Sequence, residues 1–295
     1  MGSESFRFKI GAFECKVVRD GTLAYPYPAK NVFIGFFVNA TEESLREVLR
    51  EHNLNIDQWK EYVSPYVSLL INAGERQALI DTGAGGFAPT TGKLISNLQV
   101  GGVAPEDVDV VILTHCHIDH IGGAIDSDDK PAFPNARYVI SREEWDFWTS
   151  EKAAEAVAKL KIGNEHVKEG LITGPSEKLL PIRDQLDLID HETEIVPGVR
   201  VVEAPGHTPG HMAVAVTSGG EELLYISDTV IHPIHLQRPD WYSAVAIDPR
   251  QVVATRHRIF ERAVAVKTLI HASHFPFPGL GYVVQEGEGW RWEAL

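Results

Sequence analysis

The sequence has few of the features that mark an exported, membrane-bound or disulfide-stabilised protein. Its two cysteines, Cys15 and Cys116, are too few for a disulfide framework in a chain of 295 residues. It contains no apolar run long enough to span a bilayer, and its N-terminus lacks the basic and then apolar pattern of a signal peptide. We therefore expect a cytoplasmic protein that does not bind a membrane.

Positive charge is also scarce. The 27 lysines and arginines are outnumbered by 41 aspartates and glutamates, so the formal net charge is −14 at pH 7. No basic cluster compensates locally, and a phosphate backbone would be repelled. We expect no nucleic-acid partner. Hydrophobic residues make up 44% of the chain, which is enough for a sizeable core.

One short stretch concentrates metal-ligating side chains. Residues 114–120 have the sequence THCHIDH, directly after a β-branched run that predicts a buried strand. Imidazole nitrogens and carboxylate oxygens are the ligands that zinc and neighbouring divalent metals prefer. His115 and His117 are two apart and can converge on one ion, whereas the adjacent Asp119 and His120 face another point. The stretch predicts a site for two ions, and a histidine-rich surface loop is the alternative.

Cys116 lies inside this motif, between two of its histidines. A thiolate ligand is one interpretation. Alternation along the chain favours another, in which the side chain points away from the histidines and fills apolar space.

Several helix starts are visible. Thr41 is a predicted N-cap, with acidic residues directly after it. Asp248 is a second N-cap, with Pro249 at the first helical position. Ser141 and Glu144 are three residues apart, the spacing of a capping box.

Strands are predicted between these helices. Residues 6–25 predict an opening hairpin that ends in a turn at Asp20 and Gly21. Residues 25–40 are rich in aromatics and proline and predict an arm that packs on a partner subunit, lines a cleft or lies on its own surface. The other predicted strands cover residues 66–72, 77–81, 137–140, 199–203, 212–217, 222–226 and 268–271.

Five landmarks, in this order, resemble the metallo-β-lactamase superfamily. They are the segments ALIDTG (78–83), THCHIDH (114–120), APGHTPGH (204–211), YISD (225–228) and ASHF (272–275). An ordered set of motifs is far more specific than any single one. The resemblance covers roughly residues 65–295. It implies an α/β fold of the αββα type, a sandwich of two mixed sheets flanked by helices.

The resemblance also implies the domain organisation. We expect one domain over residues 1–295. Residues 1–64 would form an N-terminal hairpin, arm and helix. Residues 151–192 are charged and weakly patterned, and they predict a helical insertion over the cleft.

Seven ligands follow from the motif match, and they imply two divalent ions. The first ion would be held by His115, His117 and His207, the second by Asp119, His120 and His274, with Asp228 bridging both. Zinc is the expected metal, with iron, manganese and cobalt as alternatives. The resemblance implies that Asp119 and Asp228 are the catalytic carboxylates and that a hydroxide bridging the ions is the nucleophile.

Other residues are expected around these ligands. Asp81 and His211 would hydrogen-bond behind the ligands rather than bind metal. An apolar substrate pocket is predicted at Trp145, Trp148, Phe275 and Phe277, and the alternative for each is packing in the core.

Within the superfamily the sequence resembles the methyl parathion hydrolase-like group, which also contains lactonases. The segment HFPFPGLG (274–281), the segment 248–258 and the turn 81–85 carry this resemblance. It implies a hydrolase of a lactone or aryl ester, or of a phosphotriester as in organophosphate hydrolases, in a protein that is often a homodimer. One departure is Ile231, since the smaller acyl-homoserine lactonases have a tyrosine at this position after the bridging Asp.

Two other classes remain open. One is an oxidoreductase with a single iron, similar to the persulfide dioxygenases of the same fold. The retained Asp119, His120 and His274 argue for two ions and against that class. The other is a metal-binding protein without catalysis, and the full set of ligands argues against it.

Overall fold

The computed structural model describes residues 4–26, 35–55, 57 and 61–295. Two seven-stranded sheets form within these ranges. The first sheet contains β1 (Ser5–Ile10), β2 (Phe13–Pro26), β3 (Glu61–Asn72), β4 (Gln77–Ile80), β5 (Val110–Ile112), β6 (Arg137–Ser141) and β7 (Leu186–Ile189). The second contains β8 (Glu194–Val196), β9 (Val199–Glu203), β10 (Met212–Ser218), β11 (Glu221–Tyr225), β12 (Leu269–His271), β13 (Leu280–Glu286) and β14 (Gly289–Ala294).

The α-helices lie outside the sheets. They are α1 (Glu42–Glu51), α2 (Leu94–Val100), α3 (Ile118–Ile121), α4 (Arg142–Trp148), α5 (Glu151–Lys159), α6 (Glu165–Leu179), α7 (Ile234–Gln237) and α8 (Pro249–Val266). Short 3-10 turns cover Gly85–Phe87, Pro105–Asp107, Arg183–Gln185 and Ser227–Thr229.

Both sheets are mixed. In the first sheet the strands follow chain order, antiparallel from β1 to β4 and parallel from β4 to β7. In the second sheet the order runs from β14 to β8, and only the β11–β12 pair is parallel. The predicted sandwich of two mixed sheets flanked by helices is confirmed.

Three apolar layers hold the sandwich together. The central layer combines residues of both sheets, such as Leu69 and Val214, and therefore lies between them. A second cluster joins the first sheet to α2, α4 and α5, with Trp148 among its members. A third joins the second sheet to α8 through residues such as Phe260. Because the central layer draws on both sheets, we propose that the chain folds as one domain.

Most predicted elements occur where the sequence placed them. Thr41 caps α1 by accepting the backbone N–H of Ser44. Asp248 caps α8 by accepting from Arg250 and Gln251. The predicted strands are present with small shifts at their ends, the largest being the early start of β3. Across the described ranges, no helix is long and apolar enough to cross a membrane.

The predicted turn at Asp20 and Gly21 is wrong. Both residues lie inside β2, at a bulge where its pairing with β3 shifts register. The buried Asp20 carboxylate accepts the backbone N–H groups of Ala84 and Gly92 in the loop after β4, and of Leu94 at the start of α2. The Asp-Gly pair, which is typical of turns, here marks the point where β2 binds a neighbouring loop. A side chain on Gly21 would meet the Thr90 carbonyl, which explains the glycine.

The predicted capping box at the start of α4 is also wrong. Ser141 occupies the N-cap position, but its side chain makes no capping hydrogen bond. The Glu144 carboxylate turns inward and binds other parts of the chain, so it does not reach back to the cap.

The segment 151–192 is only partly helical. It contains α5 and the longer α6, and it ends with β7, a strand that the sequence analysis did not predict. The α6 helix packs on α3, which belongs to the metal motif. In the predicted arm, residues 27–34 lie outside the described residues.

We expect Asp20→Ala to lower the free energy of unfolding by about 2–3 kcal/mol, because buried N–H donors lose their acceptor. Urea unfolding followed by circular dichroism measures this. Glu14→Ala, an exposed position on the same strand, is the control and should cost no more than about 0.5 kcal/mol. Equal stability of the two variants would contradict the role given to Asp20.

Candidate metal centre

The metal motif begins where β5 ends. The loop after this strand carries His115 and His117, and α3 then carries Asp119 and His120. His117 has extended backbone angles at the N-cap position of α3, so the chain changes direction between the two pairs. The four side chains therefore point to two places, as the spacing predicted.

Seven side chains from both halves of the sandwich converge at this edge. One group is His115, His117, His207 and Asp228, and the other is Asp119, His120 and His274. Within each group the ligand atoms lie within 4.8 Å of one another. All seven are the residues that the sequence analysis assigned as ligands. Cys116 belongs to neither group and packs in the second apolar cluster.

Asp228 lies between the two groups and contacts each with a different oxygen. Its Oδ2 is 3.1 Å from His207 Nε2 and 3.8 Å from His115 Nε2. Its Oδ1 is 3.1 Å from both His120 Nε2 and His274 Nε2. One carboxylate thus faces both clusters of nitrogen ligands.

Hydrogen bonds fix which nitrogen three of the histidines offer to the site. His274 Nδ1 lies 3.2 Å from the Pro65 carbonyl oxygen, which can only accept, so this nitrogen carries the proton. His120 Nδ1 donates to Asp81 Oδ2 over 2.8 Å for the same reason. Thr114 Oγ1 gives its proton to Asp81 and is left to accept from His115 Nδ1. In all three rings the Nε2 lone pair therefore points into the site.

Asp81 holds the motif from behind. It has a left-handed backbone with φ of 59° after β4. Its Oδ1 accepts the Thr114 backbone N–H, and its Oδ2 also accepts the Tyr225 hydroxyl over 2.9 Å. The carboxylate thus connects β4, the motif loop and β11. This is the position that the sequence analysis gave to it.

His211 supports the bridging carboxylate through the backbone. Its Nδ1 donates to the Ala204 carbonyl, and its Nε2 accepts the backbone N–H of Asp228 over 3.1 Å. Burial lowers the pKa of His211 to about 3, so the ring is neutral, as this pattern requires. The ring has no free nitrogen left to bind metal.

The donor set fits a pair of cations. The described chain gives no hydrogen-bond partner to the buried His115 Nε2, His120 Nε2 or Asp228 Oδ1. Unpaired buried nitrogen and oxygen atoms are costly unless something binds them. His207 Nε2 and His117 Nδ1 lie 2.9 Å apart, as expected of two ligands that converge on one point. The residues present therefore fit divalent metal ions.

The charges of the site agree with this. Burial lowers the pKa of His115 and His117 well below the usual value, so both rings are neutral ligands. Burial also opposes the charged form of His120, but the neighbouring carboxylates Asp228 and Asp81 raise its pKa well above the usual value. The carboxylates thus favour a positive charge at this point, which a bound cation would supply.

The predicted pocket residues lie in different places. Trp148 is buried, with its ring 5.6 Å from the ring of His117. Trp145 packs against the second apolar cluster. Phe275 is buried in the third cluster against Trp292, and Phe277 packs beneath the Arg19 guanidinium. The structure does not bring these four together into one wall, and a substrate contact for each stays a prediction.

Other aromatic residues, which the sequence analysis did not assign to the site, lie beside the second ligand group. Tyr62, Ser64 and Tyr66 alternate along β3 and so share one face of the sheet. Ser64 Oγ is 3.1 Å from His274 Nδ1, and the Tyr66 ring is 5.6 Å from the His274 ring. Tyr25, which pairs with Tyr62 across β2 and β3, shares a 2.9 Å hydrogen bond with the Tyr66 hydroxyl. The period-two pattern of β3 is the signal that could have found them.

The family model of the metallo-beta-lactamase superfamily matches residues 62–272. With its αββα sandwich and its ordered ligand motifs, the chain belongs to this superfamily. The resemblance that the sequence motifs indicated is thereby confirmed.

Particular relatives are lactonases and other hydrolases. An N-acyl homoserine lactonase of Bacillus thuringiensis is 25% identical over 184 residues, 62% of each chain. Another, from a Bacillus species, is 29% identical over 124 residues, 42% of this chain. The matches span 39% to 62% of the length of these curated relatives.

Two solved structures are similar over the whole chain. One is AidC, a dizinc quorum-quenching lactonase in complex with the product N-hexanoyl-L-homoserine, which is 28% identical with a TM-score of 0.86, covering 100% of this chain and 99% of that one. The other is the hydrolase AbOPH of the beta lactamase superfamily, 26% identical with a TM-score of 0.86, covering 100% and 98%.

We expect Asp81→Asn to lower the zinc affinity of the second group roughly 10- to 100-fold, because the asparagine N–H would face the donors of His120 and Tyr225. Asparagine tolerates the left-handed backbone, so the fold should persist. Chelator competition measures the affinity. Asp146→Asn, an exposed position on α4, is the control, and an Asp81→Asn affinity equal to that of this control would contradict the role.

Proposed function

We propose that this protein is a metal-dependent hydrolase that binds two divalent ions and opens lactones with an apolar acyl chain. The position of Asp228 is the observation that carries the proposal, since each of its oxygens faces a separate group of histidine ligands. A site for one ion would need no such arrangement. The hydrolase relatives and the dizinc lactonase with the same fold support it.

The proposed ligands fall into the same two groups that lie close together in the structure. His115, His117 and His207 would hold the first ion, and Asp119, His120 and His274 the second, with Asp228 facing both groups. Zinc suits this set of imidazoles and carboxylates, as do iron, manganese and cobalt. Bound ions of this kind activate water as a nucleophile and polarise the oxygen of a scissile carbonyl or phosphoryl group.

The chain's own residues orient this chemistry. Asp81, Thr114 and Pro65 accept the Nδ1 protons of His120, His115 and His274, so those rings cannot rotate away. Asp119 is the most exposed ligand, with 18% of its side chain accessible, and lies at the open side of the site. We propose that its carboxylate and that of Asp228 hold the attacking water and take part in the transfer of its proton to the departing oxygen.

The substrate side is aromatic. Tyr25, Phe36, Tyr62 and Tyr66 form a connected set, with Phe36 and Tyr62 only 4.8 Å apart between ring centroids. This set reaches the His274 ring through Tyr66. Apolar rings beside the second group suit an acyl chain or an aryl group better than a charged substrate. Aryl esters and phosphotriesters also carry apolar groups, and they are the next substrates to assay.

The first experiment is proton release during ring opening, with zinc-loaded protein and a series of acyl homoserine lactones. We expect kcat/KM of about 10⁴ M⁻¹s⁻¹ or more for the best substrate, within the usual range for enzymes. The value should rise with acyl chain length if the aromatic set binds the chain. Rates below about 10² M⁻¹s⁻¹ across the series would exclude lactones as the main substrates and direct the assay to aryl esters and phosphotriesters.

We expect Asp228→Ala to lower both metal occupancy and hydrolysis, the latter at least about 100-fold, because one substitution removes a ligand from each group. His257→Ala is the matched control. His257 is a partly exposed residue of α8 that contacts Glu261 and lies outside both ligand groups, and its loss should change neither quantity.

Metal analysis of the purified parent accompanies these variants. Two ions per chain are expected. A single iron with no second metal would favour the oxidoreductase class instead, and parental activity in Asp228→Ala would refute the site.

A further inference from the structure

Glu144 is a fully buried acid for which the proposed chemistry has no use. It lies on α4, outside both ligand groups, and its side chain has no exposed surface. Buried carboxylates are rare in proteins unless something pairs with them. The partners of this carboxylate therefore indicate why it is there.

Those partners are the two loops that carry the first ligand group. Glu144 Oε1 accepts the backbone N–H of Cys116 over 2.9 Å, and Oε2 accepts the backbone N–H of Gly210 over 3.0 Å. Cys116 stands between His115 and His117 in the sequence, and Gly210 follows His207 by three residues. One carboxylate thus ties the loop after β5 to the loop before β10.

A third donor fixes the carboxylate itself. Trp148 Nε1 donates to Oε1 over 2.7 Å from one turn further along α4, and the Trp148 ring packs 5.6 Å from that of His117. Gly210 is required at its position, because a Cβ there would lie 2.3 Å from the Glu144 backbone nitrogen. The helix α4, the two loops and the indole are therefore in close contact, so a small shift of one of them displaces the others.

We propose that Glu144 is a positioning residue for the first metal group, holding His115 and His117 at the correct distance from His207. The inference rests on the proposed two-ion site. Glu144 binds only the loops of the first group, whereas Asp81 contacts His120 of the second group as well as Thr114 beside His115. The expected effect of a Glu144 substitution is therefore selective for one ion.

Glutamine is the sharpest substitution, because it keeps the shape of the side chain. Its amide group replaces one acceptor oxygen by a donor, so one backbone N–H, of Cys116 or of Gly210, loses its acceptor. The loop that it held can then move relative to the other. A shift of this kind weakens ligands that must converge on one point.

The test measures zinc affinity by chelator competition in two backgrounds. In Asp119→Ala, which lacks a ligand of the second group, the remaining ion reports on the first group. In His117→Ala it reports on the second. We expect Glu144→Gln to lower affinity at least about 10-fold in the first background and to leave it unchanged in the second. Glu143→Gln, the exposed neighbour on α4, is the control in both.

Each outcome decides a different statement. A parent protein that takes up neither zinc nor iron, manganese or cobalt refutes the proposed function. A parent that binds two ions, with Glu144→Gln equal to Glu143→Gln, overturns the inference alone. An equal loss in both backgrounds also overturns it, because it would show a general effect on folding.

If Glu144→Gln does not fold, hydrogen exchange of the metal-free parent supplies the answer. Strong protection of the Cys116 and Gly210 amides is expected, and rapid exchange at both would overturn the inference.

Discussion

The structure depends on the contacts of one side chain: the two carboxylate oxygens of Asp228 each face a different set of imidazole nitrogens. Bringing this charge and these polar rings out of water costs several kcal/mol per group unless they are paired. Asp228 Oδ1 and Oδ2 each lie 3.1 Å from a histidine nitrogen of a different group. Bound cations would offset the rest of this cost, so the folded site and any bound metal would stabilise each other.

Each of the two sheets supplies some of the residues of this site. The first sheet ends in the loop and short helix that carry His115 to His120, and the second ends in the turns that carry His207, Asp228 and His274. The central apolar layer fixes the distance between the sheets. Precision at the site therefore comes from packing that lies below it, and the loops only complete it.

Hydrogen bonds from surrounding buried residues hold the candidate ligands in position. Asp81 connects β4, the motif loop and β11, and Asp20 fixes the loop that follows β4. His211 fixes the backbone of Asp228. All three are buried; Asp81 and His211 act on different parts of the site, and Asp20 supports the loop that follows Asp81. The ligands are held by contacts from separate strands, which is why no single turn of the chain contains the whole site.

The sequence by itself determined the fold and the seven candidate ligands. The motif THCHIDH and the four other landmark segments are local patterns, and a local pattern can be recognised in the sequence without the structure. Only the tertiary structure decided what Asp20, Glu144 and the tyrosines beside His274 do. Asp20 resembled a turn and Glu144 a capping box, because each satisfied a short-range rule. The backbone N–H groups that they bind lie more than 25 residues away along the chain, and packing fixes which distant N–H groups a buried carboxylate meets.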